Sequence, residues 1–487
     1  MDFAIYWKNL SPEIIVAATA LLVVLADLFV SRKGWLAVIS LIGIACALVF
    51  SAGFVASPLM PTSPTINALL INDSFAAFMS LIFLGLAALI IMASTDYMCR
   101  LKNYHGEFLA LVLLATLGMM LLVSATSLIT IFISLELATI PLYALVGMLK
   151  DQRSTESSLK YLLLGAVASA VLLYGLTLIF GFTGKTSLSG IVVSLLRMSP
   201  ADIWAAPGLL MGLVLAVAAF GSKAAAVPFH MWAPDVYEGS PTPVTLLLSA
   251  GSKLAGLAVL MRLLAVSSLP LSDFWSITIA VLAALGMTLG NLLAIPQSNI
   301  KRMLAYSGIA QSGFMLMAIS ITVLSHSTLS LSTLLFYMLA FALAEVAAFT
   351  VVIIASQRLS DNIADYSGLG KRSPWLAAAM TLGLISLTGI PPAAGFMAKF
   401  YLFSHALDAG LMWLLIIAVL NAVISAYYYL RVVRLMWLGE AQDSTPVTAS
   451  LPPKLVLLIV SLGILALGVM PIWGMKLAEY GAFQILP

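Results

Sequence analysis

Charge is what this sequence has least of. Lysine, arginine, aspartate and glutamate make up 9% of its 487 residues, where soluble chains carry about a quarter. A chain this poor in charge cannot coat itself with a soluble surface, which excludes an ordinary soluble domain. The net charge of +3 is small and dispersed, so no nucleic-acid footprint is present and no nucleic-acid partner is expected. Cysteine is scarce too. Cys46 and Cys99 form no CxxC pattern, which argues against a thiolate metal site or a redox pair, and both are expected to fill the core. The four histidines show no ligand spacing, so no metal is expected. Walker, dinucleotide, haem and iron–sulfur signatures are all missing, so the chain is expected to bind no cofactor of its own. The opening run to Val30 lacks a basic leader and a small-residue cleavage site, so it is expected to stay and span.

What the sequence has is hydrophobicity: 62% apolar residues and a mean hydropathy of +1.10. About 20 apolar residues in a helix cross the hydrocarbon, and open sheets or bare loops do not. The expected fold is therefore an all-α polytopic membrane protein of about fourteen transmembrane helices. Spans are expected near 13–30, 35–56, 73–95, 108–124, 126–148, 159–181, 207–227, 241–264, 274–295, 302–322, 331–356, 375–407, 410–438 and 454–475. Residues 57–72, rich in proline, read as an outer loop. Surface connections are expected around 182–206, 357–374 and 439–453. Loops after odd-numbered spans hold Arg32, Lys33, Arg100, Lys102, Lys150, Arg153, Lys301, Arg302, Arg358, Lys371, Arg372, Arg431 and Arg434. Those after even-numbered spans hold only Lys185, Arg197 and Arg262. Basic loops stay in the cytoplasm, which predicts both termini outside.

Span seven carries Lys223 and is interrupted by Pro228, beyond which Phe229, His230, Trp232, Pro234 and Asp235 follow. Proline removes a backbone donor, and freed backbone groups at membrane depth must be buried in protein or meet water. Span twelve repeats the idea, with Gly389, Pro391 and Pro392 ahead of Lys399. Paired broken helices are the mark of internal repeats in transporters.

Four charged residues fall deep in the expected spans: Glu136, Lys223, Lys253 and Glu345. A charge at a helix centre costs about 2.5–3.5 kcal/mol on insertion scales. Burial favours neutral lysine and a nearby carboxylate favours the charged form, so such pairs can take up and release protons. The bland alternative for Glu136 is a structural tie between helices. For Glu345, which has no break beside it, the two readings weigh equally. Lys160 starts span six and Lys399 follows the second break, where snorkelling is an alternative. His230 can relay a proton through either ring nitrogen or serve only in packing.

Four stretches point to a family. KAAAVPFHMWAPDVYEGSPTPVT at 223–245 resembles the most characteristic segment of the antiporter-like membrane subunits of respiratory complex I. NIKRMLAYSGIAQ at 299–311, GIPPAAGFMAKF at 389–400 and LELATIPLYALVG around Glu136 match as well, so the resemblance reaches across most of the chain. It implies two inverted five-helix repeats, spans four to eight and nine to thirteen. The expected division is 1–106 as an N-terminal segment, 107–265 and 266–440 as the repeats, and 441–487 as the last helix. It implies that Glu136 pairs with Lys223, that Lys253 bridges toward Lys399 at the outward exit, and that Lys160 is an additional family lysine. It further implies a proton-translocating subunit in a bacterial cell membrane, or a thylakoid membrane in a photosynthetic cell. NADH or another donor, FMN, iron–sulfur clusters and quinone would belong to partner subunits. The remaining partners would be lipid, protons and internal water. A multi-subunit cation/proton antiporter and a non-conducting scaffold are the competing functions.

Overall fold

A computed structural model describes residues 3–30, 32–56, 69–101, 105–267, 271–440 and 445–482. Most of the expected outer loop, 57–68, lies outside the described residues. Within them the chain is helical, with only isolated β-bridges such as Asn299–Asn362 tying loops together. Twelve helices are long and apolar enough to cross a membrane, and the shorter apolar helices Pro207–Lys223 and Pro374–Thr388 bring the total to the expected fourteen.

The N-terminal helices are α1 (Phe3–Phe29), α2 (Gly34–Ala56) and α3 (Ser74–Ala93). Next come α4 (His105–Ser124), α5 (Leu128–Val146) and α6 (Gln152–Thr183). Span seven is split into α7 (Pro207–Lys223) and α8 (Trp232–Gly239). Span eight begins with a helical turn, Thr242–Leu246, passes through a π-helical segment, Leu247–Ser252, and continues as α9 (Lys253–Ser267). The second half consists of α10 (Ser272–Ala294), α11 (Ile300–Ser325), α12 (Thr328–Ala355), the split pair α13 (Pro374–Thr388) and α14 (Ala394–Asp408), and α15 (Met412–Leu438). Last are α16 (Leu451–Val469) and α17 (Pro471–Ala482).

The two halves share one neighbour pattern. In the first, α4 packs on α5, α6 on both α7 and α8, and α7 on α9. In the second, α10 packs on α11, α12 on both α13 and α14, and α13 on α15. Glycines set the closest approaches. A Cβ at Gly290 would meet the Ala310 amide nitrogen at 2.6 Å, and one at Gly313 would meet that of Met287 at 2.6 Å. Small residues let membrane helices approach backbone to backbone, which is where dispersion acts without help from water.

Several expectations need correction. Span seven ends at Lys223 rather than at 227, because Ala225 takes a positive φ of 53° and the residue before a proline is pushed out of the helical region. Span eight, for which the sequence shows no break, is interrupted by the π-helical segment. Span fourteen stops at Val469, and Pro471 starts a new helix that packs on α12 and α3; proline suits a first turn and cannot continue a helix. Cys46 and Cys99 are exposed rather than in the core: Cys46 lies on α2, where an apolar residue facing lipid loses nothing by being outside, and Cys99 lies in the turn after α3 with its thiol directed to Asp96 O at 3.1 Å. Arg262 is not in a loop. It lies on α9, 5% exposed, and its Nη2 donates to Asp73 Oδ1 at 2.8 Å. Asp73 in turn caps α3 by accepting the Ala76 amide at 2.8 Å.

Removing one partner of a buried pair strands the other charge. Asp73→Ala is expected to cost about 3–5 kcal/mol. A lowered unfolding temperature of the detergent-solubilised protein would register it, and Asp73→Ala, Arg262→Met together should recover much of the loss.

Candidate functional site

At the first break, α7 stops with its carbonyls unpaired along the helix, and each finds a substitute. Gly221 O accepts the Ala226 amide at 2.7 Å. Ser222 O accepts the Trp232 indole N–H at 2.8 Å, and Ala224 O accepts the Ser312 hydroxyl at 2.8 Å. Lys223 occupies the last turn, where the negative end of the helix dipole favours a cation. It is 5% exposed. Its Nζ makes a long contact of 3.5 Å to Tyr143 Oη and lies 5.8 Å from that ring's centroid. Glu136, seven residues before Tyr143 on α5, is half-buried, and its Oε1 has no hydrogen-bond partner. Among the described ion pairs none joins Glu136 to Lys223; they interact through space, with Tyr143 beside both.

The second lysine follows the π-helical segment. An extra residue in a helical turn displaces the ladder, and such segments gather at functional sites. Lys253 is 1% exposed, and its Nζ lacks a hydrogen-bond partner. It sits 5.8 Å from the Tyr237 ring and 5.7 Å from Phe341. A Cβ at Gly308 of α11 would overlap that nitrogen, so a larger residue there would move the amine from its present position. Glu345 on α12 is fully buried. Its Oε2 accepts the Ser249 hydroxyl at 2.7 Å, its Oε1 is unpartnered, and its charge attracts Lys253. Glu345 is therefore the carboxylate of the Lys253 station. From sequence its functional and structural readings weigh equally, since its only signal is a lone acid in an apolar helix with no break beside it.

At the second break the lysine reaches backward. Lys399, 3% exposed, sits in the second turn of α14. Its Nζ donates to Leu387 O at 3.0 Å and Thr388 O at 2.8 Å, the last carbonyls of α13. The ammonium lies 4.6 Å from the Phe314 centroid. Gln311 shares the Leu387 carbonyl, donating to it at 2.8 Å while accepting Tyr337 Oη at 2.6 Å.

Lys160 and His230 do not join this row. Lys160 is half-buried and pairs with Glu156 at 2.8 Å and Asp235 at 3.1 Å. Arg302 bridges Asp235 at 2.7 Å and Glu238 at 2.8 Å, and these groups line a polar cavity of about 240 Å³ at the mouth of the first repeat. His230 is half-buried in the break with an unpartnered Nδ1. The described contacts link it to none of the lysines. No cluster of histidine, cysteine and acids able to hold a metal occurs among the described residues.

Broken helices with buried lysines at their junctions, on a frame of fourteen apolar helices among the described residues, fit a membrane subunit of the antiporter-like class. Residues 125–425 match the NADH:quinone oxidoreductase/Mrp antiporter transmembrane family. The chain is 48% identical over 468 residues to NADH-quinone oxidoreductase subunit N of Dehalococcoides mccartyi, covering 94% of this chain and 96% of that one. A chain of respiratory complex I from Thermus thermophilus superposes with a TM-score of 0.78 at 30% identity, over 96% of this chain and 99% of that one. A chain of the Mrp complex from Dietzia sp. shares the fold, with a TM-score of 0.83 at 21% identity over 97% and 96%. The chain belongs to the complex I antiporter-like family, on its subunit N branch. VYEGSPTPV at 236–244 and a lysine at 399, where M-type subunits generally carry glutamate, agree with that branch.

The second break yields a test of local geometry. Gly389 has φ +86°, and a Cβ there would meet Lys399 Cδ at 2.7 Å. Gly389→Ala is expected to cost about 1–2 kcal/mol from the left-handed backbone alone. It should also displace the amine, seen as a fall in protons pumped per NADH oxidised by complexes that still contain the subunit.

Proposed function

We propose that this chain is a proton-translocating subunit of a respiratory NADH:quinone oxidoreductase, with Lys223, Lys253 and Lys399 as its successive proton stations. The observation that supports this most is that three buried lysines sit at three helix irregularities, and none has a full ion pair. Desolvation opposes the ammonium, while a carboxylate or the negative end of a half-helix favours it. Each station is thus held between two protonation states. A nearby carboxylate in a medium of low effective dielectric favours the ammonium strongly, and that attraction falls as the two separate. Moving Glu136 or Glu345 by a few ångströms is enough to tip its lysine. Glu136 serves Lys223, Glu345 serves Lys253, and the α13 carbonyls serve Lys399. Lys160, with Asp235 and Arg302, forms the charged mouth from which the first station fills.

Energy arrives from partner subunits that hold NADH or another donor, FMN, iron–sulfur clusters and quinone; this chain contributes no redox step. The partners are the other membrane and peripheral subunits, lipid and internal water. In this reading the chain sits in a bacterial cell membrane, or a thylakoid membrane in a photosynthetic cell, and the bias of basic residues toward one set of loops supports both termini being outside. The division into 1–106, 107–265, 266–440 and 441–487 follows the shared neighbour pattern and is likewise part of this reading.

The likeness to the Mrp complex keeps one competitor in view, a cation/proton antiporter. Sodium-dependent proton exchange by the purified assembly would favour it. Under the reading proposed here, Lys223→Ala and Lys253→Ala each leave the complex assembled and lower the protons pumped per NADH oxidised in proteoliposomes. Unchanged pumping in the double variant would instead make the chain a scaffold.

A further inference from the structure

Between Lys223 and Lys253 lie two tyrosines whose hydroxyls make no close hydrogen bond, with Ser252 near the first and Ser249 near the second. Tyr161 of α6 is 2% exposed and Tyr237 of α8 is fully buried, and neither Oη forms a hydrogen bond. Leaving a buried hydroxyl unpaired costs about 1–3 kcal/mol, whereas phenylalanine fills the same space at no such cost. Packing alone therefore explains the rings and not the oxygens.

The rings form one cluster fastened to both stations. Tyr161 meets the edge of Tyr143 at 4.8 Å and stacks on Trp232 at 4.9 Å, and Trp232 meets Tyr237 at 6.2 Å. Trp232 is tied to the end of α7 through its bond to Ser222 O. Tyr143 Oη touches Lys223 and lodges against α6 at Gly165, where a Cβ would overlap it. On the other side, the Tyr161 hydroxyl lies within loose hydrogen-bonding range of the Ser252 hydroxyl, and Ser252 immediately precedes Lys253. Tyr237 interacts with Glu345, Ser249 and Tyr161, and its ring faces the Lys253 ammonium. The hydroxyls of residues 143, 161, 237 and 252 are thus the polar groups between one amine and the other.

We propose that Tyr161 and Tyr237 are the proton relay between Lys223 and Lys253, with internal water closing the gaps between their hydroxyls. The proposal rests on the station reading above. A buried water needs two to four polar partners, and these hydroxyls supply them. The ammonium of Lys223 gives a proton to the first oxygen in line. Each oxygen accepts one proton and releases its own to the next, and the last proton goes to the neutral amine of Lys253. The sum is one N–H bond broken at 223 and one formed at 253, with no oxidant, no reductant and every hydroxyl restored.

The test uses whole complexes carrying Tyr161→Phe, Tyr237→Phe, both changes, or Lys223→Ala, in proteoliposomes. Assembly, NADH:quinone turnover and protons pumped per NADH oxidised are measured on each. The double Tyr→Phe variant is expected to assemble and melt no lower than the unmodified complex, yet to lose as much pumping per NADH as Lys223→Ala. Unmodified pumping in the double variant, beside a loss in Lys223→Ala, overturns the relay and leaves the stations standing. Normal pumping by Lys223→Ala overturns the stations and the relay with them. Should the double variant fail to assemble, Tyr161→Phe alone decides: a reduced pumping ratio supports the relay and an unchanged ratio overturns it.

Discussion

The hydrocarbon interior tolerates neither a backbone group without a hydrogen bond nor a charge without compensation. In this protein each deficiency supplies the remedy for the other. A broken helix ends in carbonyls that need donors and in a dipole that favours a cation. A lysine supplies both. At the second break the match is direct, since Lys399 donates to the two final carbonyls of α13. At the first, indole and serine donors take the carbonyls, and Lys223 is left with a long contact to Tyr143. At the π-helical segment the compensation is a buried carboxylate, and the amine of Lys253 has no hydrogen bond. The three sites therefore differ in how fully they satisfy the ammonium. A row of sites with unequal hold on one proton is what directional transfer requires.

The repeats reach the same arrangement from different sequence positions. Lys223 is the last residue of its first half-helix, whereas Lys399 belongs to the second half-helix, eleven residues after Thr388. The side chain of Lys399 folds back across the break, so both ammonium groups end at the C-terminal end of the first half. Gly389 permits that return, since any Cβ there would occupy the path of the Lys399 stem. Gly308 does the equivalent service for Lys253. The glycines near these amines are part of how the charges are placed.

Much of this was readable in advance, and the physical reason is that the membrane makes its demands locally. Apolar runs, prolines inside them and isolated charges each appear within a short window, so the fourteen spans, both breaks and the buried lysines could be read from single segments. What was not readable depends on how distant segments meet. Glu345 becomes a partner of Lys253 only because α12 crosses beside the π-helical segment, and FALAEVAAF contains no trace of that crossing. The segment itself has no proline or glycine pair to betray it beyond Gly251. Arg262 looked like a loop cation because it falls near the end of an apolar run, yet its partner Asp73 lies 189 residues away. Cys46 was misplaced for the opposite reason: in lipid, hydrophobicity does not separate inside from outside.

Burial by itself therefore does not set the proposed proton stations apart; the lack of an ion pair among the described contacts does. Arg262 is as buried as Lys223, but it is paired to a carboxylate that also caps a helix, and guanidinium does not release its proton in proteins. Lys301 is likewise held, by Asp361 at 3.2 Å and Ser240 O at 3.0 Å. These groups fix elements in place, because any change in their protonation would break bonds already made. Lys253 and Glu345 stand on the other side of that division. Each keeps a polar atom unbonded within reach of the other's charge, so neither protonation state is locked. The unbonded atom costs stability, and under the proposed function that cost is what keeps a proton there free to move.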